Sequence, residues 1–179
     1  EVKAIYDAIG AKKNAVRSLA FNGGSGILGS KISQAVVSEN WADVLFEIKF
    51  GTNSNSAKQL VAGSSVPQTV TKVRIYGLQN RRNAEAALLF QEMSIVDKKN
   101  LYDKLAANEA FIEQYYDEVK SVSSANIVSE LSKDKRGLLY AEANQLLTEL
   151  RTDLTNAGVS FRQFTFNSSL ETSLPPNRP

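Results

Sequence analysis

The sequence predicts an α+β fold that is predominantly helical, with a small antiparallel sheet of about three strands packed against a helical bundle with two long paired helices. Three observations point there. Apolar residues recur by alternating steps of four and three over 101–122 and again over 143–157, the spacing of one helix face. The stretches 44–50 and 70–76 alternate side by side in the manner of strands, with no helical pattern between them, which suits an antiparallel pair. At 179 residues, 42% apolar and 22% charged, the chain is long enough for one domain with a real core.

Residues 1–166 read as one globular domain and 167–179 as a Pro-rich polar tail. The lead over 1–21 is helical, through Val2, Ile5, Tyr6 and Ile9 and then Ala15, Val16, Leu19 and Ala20, with Gly10 between the two groups. A Gly-rich loop, "NGGSGILGSK", covers 22–31, and Leu28, Ile32 and Val36 step by four into a short helix. "WADVLFEIKFG" is the first strand: Val44, Phe46 and Ile48 alternate with Leu45, Glu47 and Lys49. "TVTKVRIYG" is the second, placing Val70, Lys72, Arg74 and Tyr76 on one face, so that 41–77 forms a strand pair.

The region 83–158 is helical. A break is expected at "DKKN", where Asn100 caps the next piece, and the last helix, about 138–157, stops at Gly158. Leu101, Leu105, Asn108, Ile112, Tyr115, Val119 and Val122 form one apolar seam, and Ala143, Leu147, Leu150, Leu154 and Ala157 another. The two seams are expected to pack on each other, or one of them on a second subunit. "VSFRQFTF", 159–166, reads as a third strand through Phe161, Phe164 and Phe166.

Composition excludes several chemistries. There is no cysteine and no histidine, so thiolate nucleophiles, Ser-His-Asp catalysis and Cys/His metal ligation cannot be built from this chain. A net charge of +2 is too small to name an acidic partner. No run approaches the ~20 apolar residues of a membrane span, so a soluble protein of unknown compartment is expected. A start at Glu1 rather than Met is expected of a processed or cut chain.

Three motifs carry candidate chemistry. Gly24, Gly26 and Gly29 spell G-x-G-x-x-G, with Lys31 beyond, as in a phosphate cradle. The strand-and-helix alternation that carries such sites does not continue after Phe50, and Ser30 precedes Lys31 where a P-loop has the lysine first, so a hinge or contact loop is the plainer reading. Glu47-Ile48-Lys49, with Asp43 as a further acid, resembles the E-x-K of Mg²⁺-dependent PD-(D/E)xK nucleases, although Asp43 lies on the same strand. Lys72, Arg74, Arg81 and Arg82 with Tyr76 form a basic patch that suits a nucleic-acid backbone and a stacked base. The leading expectation is a non-catalytic structural or interaction protein, a subunit of a larger assembly that meets protein partners or its own copies through amphipathic helices and flexible loops, with no cofactor. The alternative is a nucleic-acid-binding or Mg²⁺-dependent nuclease-like protein using Glu47, Lys49 and the basic patch.

Overall fold

The computed structural model of the chain describes residues 13–23, 29–53, 55–59 and 65–170. Helix α1, Lys13–Gly23, buries Ala15, Val16 and Leu19. Helix α2, Ser30–Val37, buries Ile32 and Val36, four apart as the sequence spacing requires. Residues 1–12 and the loop 24–28 lie outside the described residues, as does the tail beyond 170.

The first expected strand is a helix. Asn40 accepts a hydrogen bond from the backbone N–H of Asp43 and caps α3, Trp41–Phe46. The chain then widens into a π-helical turn, Glu47–Gly51. The reason for the difference is burial on nearly every side: Trp41, Ala42, Val44, Leu45, Phe46, Ile48, Lys49 and Phe50 are all buried. A helix enclosed on nearly all sides has no continuous polar stripe, so the apolar residues of this segment show no clear helical period and cannot be told by pattern from a strand.

Strand β1, Asn55–Gln59, pairs antiparallel with β2, Gln68–Val73. The ladder carries one extra residue on β2, because Asn55 faces Val73 while Ala57 faces Val70. Lys72 sits in that bulge at φ = +60°. The common face expected for Val70, Lys72, Arg74 and Tyr76 is therefore broken. Lys72 is in the bulge, Arg74 lies past the strand's end, and Tyr76 opens helix α4, Tyr76–Gln91.

Helix α5, Ile95–Ala107, runs straight through "DKKN". Its start is a capping box in which Ser94 and Asp97 satisfy each other's backbone N–H groups, so the break falls before Ser94 and Asn100 is an exposed mid-helix residue. Asn108 ends α5 and precedes α6, Glu109–Asp117; its side-chain amide donates to the Lys104 carbonyl. The expected continuous seam is thus two helices with a corner at its polar residue. A second antiparallel ribbon follows, β3 Lys120–Val122 with β4 Val128–Glu130, turning at Asn126 in the left-handed region, φ = +59°. The two ribbons touch where the Lys58 N–H donates to the Asn126 carbonyl and the Lys120 N–H to the Arg74 carbonyl, each at 2.8 Å.

Helix α7, Lys133–Asn156, starts at a Ser132 cap and ends in a Schellman motif. Val159 N–H donates to Leu154 and Gly158 N–H to Thr155, with Gly158 at φ = +69°. Leu101, Leu105 and Ile112 on one side and Ala143, Leu147, Leu150 and Leu154 on the other are buried, in the core formed as α7 packs against α5 and α6. The two seams are spent on each other.

The segment 159–166 is not a strand. Phe164 and Phe166 are buried with Thr165 exposed between them, so the alternation is real. Its polar backbone is met by side chains instead of a ladder. Tyr102 donates to the Arg162 carbonyl (2.6 Å), Arg151 to Phe164, and Asn144 both gives to and takes from Phe166 (2.9 Å each way). We call 159–170 the strap. The fold is therefore α+β and predominantly helical, with two small two-stranded antiparallel sheets in place of the one of three strands.

Candidate functional site

A helix leaves its last carbonyls without partners, and in the π turn Ile48 and Lys49 are buried. Three side chains meet that demand. Thr52 Oγ1 donates to the Ile48 carbonyl (2.8 Å), while Gln79 Nε2 (3.1 Å) and the Tyr115 hydroxyl (3.3 Å) donate to that of Lys49. Asn53 then pairs with both backbone groups of Ile75, accepting from its N–H (3.0 Å) and donating to its carbonyl (3.2 Å). This ties the end of the π turn to the start of α4. Gln79 Oε1 closes the network by accepting from Tyr115 (2.6 Å) and from Asn53 (3.1 Å).

Above this network lies Lys49, only 4% exposed. Its ammonium donates to Asn83 Oδ1 at 2.7 Å, and the Asn83 amide in turn donates to Glu142 Oε2 at 2.7 Å. No carboxylate among the described residues forms a direct ion pair with Lys49, because Asn83 stands between it and Glu142. Burial lowers the Lys49 pKa from 10.5 to about 8, and the negative charge of Glu142 opposes that shift.

Lys49 and Asn83 line a half-open pocket of about 180 Å³ between the α3–π segment, α4 and α7. Leu45, Ala86, Ala87, Phe90 and Leu146 give it apolar surface, and Glu142, Gln145 and Glu149 its polar edge on α7. The arrangement can hold a small molecule by charge, hydrogen bonds and apolar contact at once.

The residues singled out from sequence do not converge. Lys49 turns inward to the pocket; Glu47 is half-buried with Lys31 at 4.0 Å; Asp43 pairs with Lys104 at 2.6 Å. On a helix, E-x-K points two ways where a strand would align both side chains, so the geometry expected of a nuclease strand is not present. No cluster of acidic side chains able to hold a metal occurs among the described residues. The basic set is also dispersed. Arg82 is buried against Glu85 at 2.6 Å, Arg74 pairs with Glu118 and lies over the Tyr115 ring, and Arg81 and Lys72 are exposed. Gly29 precedes α2 as its N-cap and Lys31 is exposed in the first turn, while Gly24 and Gly26 lie outside the described residues.

Sequence reasoning missed Asn53, Gln79, Asn83 and Glu142. A signal existed for two of them: Gln79 and Asn83 are four apart, so they share one face of α4 and hydrogen-bond each other at 3.0 Å. No described helix is long and apolar enough to cross a membrane. No protein-family model matches the chain, and no curated protein or solved structure matches it significantly.

Proposed function

We propose that this is a non-catalytic interaction protein, one that holds a ligand or partner without converting it, and that its recognition site is the pocket between α4 and α7. The observation that carries the reading is Lys49, a buried cation facing that pocket with a single protein hydrogen bond among the described residues. An ammonium has three N–H donors, and a buried donor without an acceptor costs free energy. Asn83, the group that Lys49 does meet, is a neutral amide that cannot take its proton. The amine is thereby held as a donor for recognition, not paired with a base for attack.

The helical seams are consumed inside the chain, so membership of a larger assembly, which we retain as part of the reading, calls on other surface. The lip of the pocket is such a place, since Ala87 of α4 lines it and is exposed. A fragment screen by amide NMR tests the proposal, using amino acids, carboxylic acids, amines and sugars. Compounds that bind are expected to shift Asn83 and Gln145 first. Shifts that scatter over the surface, or none at all, would remove the pocket as the recognition site.

A further inference from the structure

We propose that the pocket over Lys49 takes a free α-amino acid with an apolar side chain, bound as the zwitterion, its carboxylate on Lys49 and its ammonium on Glu142. The inference rests on the recognition reading above and narrows it to a ligand class.

Charge comes first. Asn83 offers its oxygen to Lys49 and its N–H to Glu142, so one amide keeps the two opposite charges from neutralising each other. Its oxygen accepts from the cation and its nitrogen donates to the carboxylate, at 2.7 Å each, and an α-amino acid offers the same pair of roles, an accepting carboxylate and a donating ammonium on one α-carbon. A ligand bearing only a carboxylate would meet the repulsion of Glu142, and one bearing only an amine that of Lys49. Both signs are needed to satisfy the site.

Size and lining agree. A volume of about 180 Å³ is small beside the ~300–1,000 Å³ of ordinary ligand pockets. A small zwitterion suits that scale, whereas the phosphates of a nucleotide would face Glu142 and Glu149. Leu45 and Phe90, both buried, supply the surface for an aliphatic side chain.

Calorimetric and NMR titrations of the full chain with L-leucine, 4-methylpentanoic acid and 3-methylbutylamine test this, since the last two each keep one charge of leucine. Leucine is expected to bind at least tenfold tighter than either and to shift the Asn83 side-chain amide. Glu142→Gln, on an exposed residue, is expected to weaken leucine at least tenfold, as is Ala87→Trp, which crowds the lip. Lys49→Met is expected to abolish binding; should it not fold, Glu142→Gln carries the test. Equal affinity for leucine and its analogues, or indifference to Glu142→Gln, overturns the proposal. If leucine leaves Asn83 unshifted while other compounds of the fragment screen move it, the ligand class is wrong and the recognition reading survives. If no compound moves it, both fall.

Discussion

Tyr115 and Tyr116 are neighbours on α6, both essentially buried, yet their hydroxyls are treated oppositely. Tyr115 donates to Gln79 and the Lys49 carbonyl, whereas the Tyr116 hydroxyl has no hydrogen-bond partner. Burial raises the pKa of each well above the ordinary phenol value. Tyr116→Phe deletes only an unsatisfied group, so it is expected to leave stability unchanged or raise it by about 1 kcal/mol. Tyr115→Phe removes a made bond and is expected to cost about 1–2 kcal/mol. Urea unfolding of the two variants side by side checks the contrast. Lys49 has its own signature. Its folded pKa of about 8 lies below the unfolded 10.5, so between those values the unfolded chain binds the extra proton and stability rises with pH. Below pH 8 the buried charge opposes folding by about 3 kcal/mol. Lys49→Met is therefore expected to be more stable than the native chain at pH 7, with the gap closing by pH 10.5. Comparing the two proteins at each pH cancels the contribution of the tyrosines.

The strap is an element whose polar backbone is met largely by side chains of other elements. Asn144 supplies both halves of a strand-like pairing to Phe166, and Asp117 accepts from the Ser168 and Ser169 hydroxyls, the Ser169 N–H and Tyr140. Asn144→Ala leaves two backbone groups of Phe166 without partners and is expected to cost about 1–3 kcal/mol. The effect should be read as faster hydrogen exchange at Phe166 with helix α5 still protected. At Asp117, burial pushes the carboxyl upward, but the hydrogen bonds from Ser169, Ser168 and Tyr140 outweigh it and hold the pKa below 3.8. Their contribution is complete above the unfolded value and is lost as pH falls through the lowered folded one. The strap is expected to loosen in acid before the bundle, and Asp117→Asn should remove that acid limb from the Phe166 exchange profile.

At the scale of the molecule, the main question raised by the seams was whether they face inward or toward another copy. Leu147, Leu150 and Leu154 are fully buried within the chain. Leu147→Asp places an unpaired charge in the core and is expected to abolish cooperative folding, while Leu147→Ala costs about 2–5 kcal/mol. Sedimentation and circular dichroism together check this, because a seam facing a second subunit would give a folded, dissociated monomer instead.

How much of this was legible depended on the range of the physics involved. Steps of three and four along 143–157, and a glycine where the helix stops, are local signals, and α7 stops at Asn156 with Gly158 closing its terminal motif. The aromatic pattern over 159–166 suggested a strand, and Phe164 and Phe166 are buried with Phe161 partly so, but a strand also needs a neighbouring strand, and the chain supplies Tyr102, Asn144 and Arg151 instead. The run 44–50 carries the same apolar residues whether it is a buried helix or a buried strand. Only the surrounding helices decide, by enclosing it on nearly all sides. The pocket lay furthest from view. Lys49, Asn83 and Glu142 are dozens of residues apart, and no local spacing encodes their meeting. What the sequence determined alone was the predominantly helical α+β class, the apolar faces of 101–115 and 143–154, and the chemistries its composition forbids, because those follow from neighbours along the chain. The tertiary structure decided which polar groups are buried together, because burial and charge act through space.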